Sequence, residues 1–316
     1  MEIGQDSDET IGDCVVRHVI PISGKDSCAT ALVQMARQPN LPYELFFSDV
    51  GVELPETYAW LNKVEVTLQL PVPVHRVGKS LEQVIRHEGI LPSPKVRFCT
   101  REAKIKPMED WLGDDECIVY FGIRADEDRA GYQPLTKHNV HSCYPLKEMG
   151  IDLGGVYSIV RAKGLEPPKF FWEEMHIRIS EIIDGLAKDV FGLGNNAAEV
   201  FAKFPSWVFD RLFAWRTRSN CYWCMFQAEW EWVGLLEHHP DLFDHAEKVE
   251  SEVGNDRQEK PYTWHQGMSL NDIRNNADNI KAKRADAILK IIQTKQIVRD
   301  PVDDLSITSC GMFCGK

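Results

Sequence analysis

The stretch HVIPISGKDSCATAL, residues 18–32, decides the fold. It opens as an apolar, β-branched run, breaks at Ser23-Gly24-Lys25-Asp26-Ser27, and continues in helix-forming residues. A buried strand feeding a helix through a short polar loop is the repeating unit of parallel α/β sheets. In such sheets ligands bind at the carboxyl ends of the strands, where the free N–H groups of helix N-termini attract anions. Gly24 lets the backbone approach a ligand closely, the hydroxyls of Ser23 and Ser27 can donate to phosphate oxygens, and Lys25 supplies a cation. Asp26 is unusual beside phosphate unless it caps the helix or holds Mg2+ between phosphates. Spacing alone leaves two readings, a phosphate cradle and a plain helix cap. The loop is shorter than the Walker pattern.

Outward from this stretch the same alternation repeats. Short β-branched or aromatic runs at 15–22, 44–48, 72–77 and 118–123 read as buried strands, and helical spacing recurs at 28–37, 56–68, 81–88 and 100–112. A fifth strand is expected at 143–146. The expected fold is therefore α/β, a mostly parallel sheet with helices on both faces. After Pro167-Pro168 the chain becomes helix-rich and aromatic, which sets a boundary near Leu165 between a nucleotide-binding domain (1–165) and a helical C-terminal domain (166–316). The polar stretch 254–261 reads as a loop. Residues 269–293 read as one or two helices, with Ser269 and Asn271 as caps.

The 316-residue chain carries a formal charge of -12, from 36 Lys+Arg against 48 Asp+Glu. That excludes a protein that coats nucleic acid through a general positive field, so a nucleic-acid partner has to meet a local basic patch. The first thirteen residues are acidic and polar, with neither a basic nor an apolar signal segment, and no apolar stretch is long enough to cross a membrane. A cytoplasmic protein with no membrane partner is expected. Its nine cysteines then suggest metal or catalytic use rather than a disulfide framework.

Four blocks carry a family resemblance. Ile22 to Ser27 resembles the SGGKDS loop of the PP-loop ATP pyrophosphatases, with Ile22 at the first Ser and Ser23 at the first Gly. SDVGVELPET (48–57) resembles the "NTGxExPET" block of the phosphoadenosine phosphosulfate reductase-like branch. FCTREAKIKP (98–107) is similar to its "CTxxxKxxP", and GIRADEDR (122–129) to its "GxRxxES-R". The blocks fall in the family's order and cover roughly the first half of the chain.

The resemblance implies an adenine nucleotide alpha hydrolase-like, Rossmann-like domain that binds ATP with Mg2+ and cleaves it between the α and β phosphates, leaving an adenylated acceptor and pyrophosphate. Lys25, Asp26 and Arg124 would act on the phosphates. Ser23, Gly24, Ser27, Asp49, Gly51, Glu53, Cys99, Thr100, Arg101 and Arg129 would bind the nucleotide, with Asp49, Gly51 and Glu53 near adenine and ribose. Read without it, Gly51 begins an ordinary turn into a helix entered at Pro55. The basic run Lys95, Arg97, Arg101, Lys104 and Lys106 fits either phosphates or a solvated helix face.

In the second half, RSNCYWCMFQ places Cys221 and Cys224 two residues apart, and SCGMFCGK places Cys310 and Cys314 near the end. Two close pairs suit a tetrahedral Zn2+ or a 4Fe-4S cluster, and the C-x-x-C could also be a redox dithiol or buried packing. In reductase-like ATP pyrophosphatases, including those of DNA phosphorothioation, a similar "GCxxCPxQ" segment belongs to a cysteine-ligated iron-sulfur site, with Asn220 and Met225 here in place of the Gly and Pro. Cys99 and Cys143 are candidate sulfur-handling thiols, with core packing the simpler reading for Cys143, and Cys14, Cys28 and Cys117 read as buried. Trp223, Trp230 and Trp232 either stack a base or pack around the cysteines.

Three functions follow. The favoured one is adenylation of an acceptor, DNA above all, for sulfur incorporation, with a cysteine desulfurase or other sulfur donor as partner and a homodimer left open. The others are an adenylylsulfate or phosphoadenylylsulfate reductase, whose "ECGLH" nucleophile Cys310-Gly311-Met312 matches only faintly, with tRNA thiolation close by, and a non-catalytic nucleotide-binding module.

Overall fold

The computed structural model describes residues 16–132, 138–186, 196–253 and 262–294. Cys14, Cys310, Cys314 and the loop expected at 254–261 lie outside them. Five strands form one parallel sheet: β1 (Arg17–Pro21), β2 (Tyr43–Phe47), β3 (His75–Arg76), β4 (Cys117–Tyr120) and β5 (Val140–Cys143), in the order β3-β2-β1-β4-β5. Register runs His18 to Tyr43 on one side of β1 and His18 to Ile118 on the other. The order reverses between β1 and β4, so the crevice of the sheet opens beyond their carboxyl ends.

Both faces of the sheet are covered. Ile20, Leu45, Phe47 and Tyr120 enter one core with Ala29, Trp60, Leu61 and Val156. Their neighbours Val19, Phe46 and Val119 enter the opposite core with Met108 and Leu112. Successive strand residues point to opposite faces, and since both are apolar the strands read as continuous hydrophobic runs. The first face is supplied by α1 (Lys25–Arg37), α2 (Pro55–Leu68) and α7 (Leu153–Ala162), with α7 packed on α1. The second face is supplied by α5 (Lys106–Leu112).

Prolines explain where the elements differ from the sequence expectation. The strand expected at 72–77 forms ladder pairs only at His75–Arg76, because Pro71 and Pro73 have no N–H to donate. The fifth strand lies at Val140–Cys143 rather than 143–146, since Pro145 opens α6 (Pro145–Glu148). The helix expected at 100–112 starts as α4 (Phe98–Thr100), widens into a π-helical segment (Arg101–Ile105), and continues as α5. Pro107 cannot donate to Ala103, four residues back, and the Ala103 carbonyl accepts from the Lys79 N–H at 3.1 Å instead. α3 (Leu81–Glu88) begins where expected, capped by Ser80.

The remaining helices are α8 (Glu173–Gly185), α9 (Ala197–Phe201), α10 (Ser206–Leu212), α11 (Glu229–His238), α12 (Pro240–Glu252), α13 (Leu270–Asn275) and α14 (Ala277–Thr294). Ser269 caps α13, whereas Asn271 lies inside it. Their apolar faces share a core built on Trp172, Phe213, Trp232, Phe243, Trp264 and Ile288. Val50, Val52, Leu54, Ile85 and Phe98, from before Leu165, belong to the same core. The expected second loop is thus packed directly against the helical half.

Glu250 is the buried carboxyl of that core. It accepts from the Trp264 N–H at 2.7 Å and the Leu270 N–H at 2.6 Å, holding the start of α13 to α12. Burial pushes its pKa up to about 7, against a smaller lowering by those two N–H groups. A carboxyl raised in the folded state stabilises the fold most fully below its unfolded pKa of about 4.3, and that contribution fades as pH rises through about 7. Glu250→Gln, which keeps an acceptor and cannot ionise, is therefore expected to flatten the fall in stability over this window. Urea unfolding midpoints of both proteins, measured from pH 5 to 8, check this; parallel curves would refute it.

Candidate functional site

The loop after β1 does not present all of its residues to the same side. Ile22 extends the ladder, its N–H donating to Phe46 O at 2.7 Å, and its side chain is fully buried in the sheet core. The outward-facing set therefore begins at Ser23. Ser27 closes the loop from within: its Oγ accepts from the N–H groups of Ser23 and Gly24 at 2.9 and 3.1 Å and donates to Gly24 O at 2.9 Å. With its one proton so engaged, Ser27 shapes the loop rather than facing the cleft.

Ser23, Gly24, Lys25 and Asp26 line a cleft of about 210 Å³ at the carboxyl edge of the sheet. Arg124, Glu127 and Arg129, from the loop after β4, line it as well. Asp26 bridges the two loops. One carboxylate oxygen is 2.9 Å from Lys25 Nζ and the other 3.2 Å from Arg124 Nη1. Burial acts to raise its pKa, but Lys25 and Arg124 outweigh that and hold the carboxyl below its ordinary value. The Arg124 side chain, 3% exposed, also meets Asp126 at 2.9 Å and Glu127 at 3.0 Å. Glu127 in turn holds Arg129. A buried guanidinium is tolerable because carboxylates surround it; removing one partner of such a pair costs about 3–5 kcal/mol.

The opposite wall comes from the helical half. Backbone pairing of 170–172 with 213–215, Trp172 N–H to Phe213 O and Trp215 N–H to Phe170 O at 2.7 Å each, carries Lys169 and the loop 216–219 to the cleft. There Lys169, Arg211, Arg216, Arg218, Thr217 and Ser219 face the β1 loop, with Tyr157 at the side. A Cβ on Gly24 would lie 3.5 Å from Ser219 Oγ, so the two walls touch at that point. Seven cations, the four named here with Lys25, Arg124 and Arg129, meet four carboxylates, Asp26, Glu127, Glu166 and Asp210. In a chain of net charge -12 this is the local positive field that an anion requires.

Sequence reasoning missed the far wall. Its signal was present as Arg216-x-Arg218 directly before the Cys221 pair, but nothing in the spacing says that this segment returns to the β1 loop.

The other expected residues do not line this cleft. The Asp49 carboxylate accepts from the Gly51 N–H at 3.0 Å and from Tyr58 O–H at 2.8 Å, and Gly51 has φ 77°, the left-handed turn that glycine favours. Glu53 is buried, which raises its pKa against the opposing pull of Lys104 and Arg216. Cys99 is half-buried against the helical core, and Thr100 is buried. Arg101 is exposed and paired with Glu102, which Lys106 also holds. Arg97 lies over the Phe226 ring at 5.5 Å.

Cys221 and Cys224 are buried thiols in a tight turn and form no disulfide, with the Cys224 N–H donating to Cys221 O at 3.2 Å. The turn is tied to the second loop by the Tyr222 N–H on Val52 O at 2.8 Å, and to the cleft by Arg216, which donates to the carbonyls of Asn220 and Cys221 and to Gln227. Among the described residues no group of three or more His, Cys, Asp or Glu converges on one point. The described residues therefore supply two soft thiol donors, half of a four-thiolate set, and Cys310 and Cys314 lie outside them. Trp223 and Trp232 are fully buried and Trp230 lies under Arg284, so the three tryptophans pack rather than stack a base. Burial pushes the Cys28 thiol up to about 12 and raises those of Cys117 and Cys143, disfavouring the reactive thiolate.

Residues 17–142 match the family model of the phosphoadenosine phosphosulfate reductase domain. The match makes this stretch, less than half of the chain, similar to that domain family. The chain is also similar to an uncharacterized protein of Methanocaldococcus jannaschii, 22% identical over 236 residues, which are 75% of this chain and 48% of that protein. The chain thus spans about half the length of the curated relative it matches. No helix among the described residues is long and apolar enough to cross a membrane.

Gly122 tests the site without altering a charge. A Cβ there would lie 2.8 Å from the backbone of Asp26 and Ser27. Gly122→Ala is expected to displace the first turn of α1, costing about 1–3 kcal/mol as overpacking does, and to weaken nucleotide binding out of proportion to that loss. Calorimetric titration with ATP beside a thermal melt checks this; unchanged affinity would refute it.

Proposed function

We propose that the chain is an ATP pyrophosphatase that adenylates an acceptor for sulfur incorporation, the acceptor being a DNA backbone phosphate. The observation that carries this reading is the convergence of Lys25, Arg124 and Arg129 with Arg216 and Arg218 on one cleft at the point where the strand order reverses.

An acceptor oxygen attacks the α-phosphorus of ATP; the new P–O bond forms as the bond to the β-phosphate oxygen breaks, and pyrophosphate leaves with the electron pair. Negative charge spreads over the phosphate oxygens, where Lys25, Arg124, Arg129 and loop N–H groups stabilise it. No enzyme nucleophile is needed. Asp26 is a hard oxygen donor kept ionised beside the loop, and Mg2+ takes one or two carboxylates with phosphates and water. Asp26 fits that role, and Mg2+ bound there would neutralise phosphate charge. Sulfur would then come from a partner such as a cysteine desulfurase. Cys221 and Cys224 with Cys310 and Cys314 would hold a 4Fe-4S cluster, or Zn2+ in its place. The reductase-domain match supports nucleotide-dependent sulfur chemistry in general; the choice of DNA rests on the resemblance of the cysteine segment.

Purified protein with Mg2+ and ATP is expected to release AMP and pyrophosphate, more so with DNA present, and Lys25→Ala to cut the rate by about 10²–10³-fold. Absence of pyrophosphate release, with thioredoxin-dependent sulfite release from adenylylsulfate instead, would overturn this in favour of a reductase. Anaerobically purified protein should show a broad brown absorbance shoulder that Cys221→Ser removes; a colourless protein containing zinc would refute the cluster.

A further inference from the structure

On the β1-loop wall every cation has a carboxylate partner: Lys25 has Asp26, Arg124 has Asp26, Asp126 and Glu127, and Arg129 has Glu127. On the far wall Lys169 is paired with Asp210 at 2.8 Å, but Arg216 and Arg218 differ. Arg216, 2% exposed, donates only to the neutral oxygens of Asn220, Cys221 and Gln227, and its Nε is buried without a hydrogen-bond partner. Arg218 is half-buried, with Nε and Nη1 both buried and unsatisfied. Neither guanidinium has an ion pair among the described residues. Buried donors left unmade are costly, and the carboxylates of Glu231 and Glu53 act on Arg216 only from beyond ion-pair distance.

The segment that carries them is held rigidly. Glu231, at the start of α11, accepts from the Thr217 N–H and hydroxyl at 3.0 and 2.9 Å and from the Ala228 N–H at 3.0 Å. Arg216 fixes the other end through the carbonyls of Asn220 and Cys221. The loop is thus preorganised, as a binding element has to be if little is lost on ordering it.

We infer that the loop Arg216–Ser219 is a second oxyanion site, distinct from the β1 loop, in which Arg218 grips a tetrahedral phosphate or sulfate group of the acceptor, with the buried charge of Arg216 behind it. The inference rests on the reading of the β1 loop as the nucleotide cradle. Ser219 beside Gly24 makes the two sites adjoin, so an acceptor anion held by the fork of Arg218 lies next to the nucleotide's phosphates. Burial lowers the pKa of Arg216 from its ordinary high value, yet an arginine remains protonated, so this is a permanent positive site. Its hydrogen bonds reach the carbonyls of the cysteine turn, so the charge behind the acceptor site also braces the thiols.

The test uses full-length protein, α,β-methylene-ATP as a nucleotide that is not cleaved, and two anion probes, a fluorescein-labelled single-stranded oligonucleotide and inorganic sulfate. With the nucleotide analogue bound, wild-type protein is expected to bind the oligonucleotide. Arg218→Gln should weaken that binding about tenfold or more, the worth of a charge-assisted pair, while the dissociation constant for the analogue stays within about twofold and the melting temperature does not fall. Arg218→Lys, which keeps charge but loses the fork, should fall between, and decides the matter if the Gln variant does not fold. Sulfate binding that Arg218→Gln abolishes, with no oligonucleotide binding, supports the oxyanion site and sinks the DNA acceptor. Equal loss of analogue and oligonucleotide binding, or no loss of either, overturns the inference. Failure of the wild type to bind the analogue would instead strike the nucleotide reading of the β1 loop.

Discussion

The site depends on one electrostatic constraint, the ionised carboxylate of Asp26 held between Lys25 and Arg124. Lys25 and Asp26 open α1, and Arg124 follows β4, which lies next to β1 in the sheet but is separated from it by most of the nucleotide half of the chain. Joining them draws together the two loops at the reversal of strand order, the one place where a parallel sheet leaves a crevice between diverging helices. Gly122 completes the join, because any side chain there would strike the backbone of Asp26 and Ser27.

Charge on the two walls of the cleft is arranged differently. The β1-loop wall is neutralised internally, so an anion bound there would have to exchange partners with Asp26 and Glu127. On the far wall Arg216 and Arg218 have no ion pair among the described residues, and their loop is braced by Glu231 and by backbone carbonyls. That asymmetry fits a site where one anion is bound and reorganised while a second is received by a rigid fork. Arg216 joins the far wall to the Cys221 turn, and the Tyr222 N–H on Val52 O joins that turn to the second loop, so the cysteines are braced from both halves of the chain.

Much of the fold was legible because it follows from local rules. Apolar runs bounded by Gly, Ser and Pro mark strands buried on both faces, and α1, α2 and α3 lie within a few residues of the positions their patterns indicate. The departures have local causes too. Pro71 and Pro73 shorten β3, Pro145 turns the end of β5 into a helix, and Pro107 opens the helix before it into a π segment. In each case a missing N–H outweighs side-chain pattern. The Ser27 hydroxyl faced inward for a reason that no pattern shows, since the loop needs an acceptor for two of its own N–H groups.

By itself, then, the sequence determined the alternation of strand and helix, the polar loop of residues 23–26 between the first strand and helix, and the charged loop after β4, since each depends on neighbours along the chain. Only the tertiary structure decided that residues 169 and 216–219 form the second wall, and that Asp49, Glu53, Cys99, Thr100 and Arg101 are not among the residues lining the cleft. The physical reason is that the wall is built by pairing 170–172 with 213–215 and by a core shared across Leu165. Contacts of that range depend on the summed packing of Trp172, Phe213, Trp232 and their neighbours, for which the chain carries no local signature.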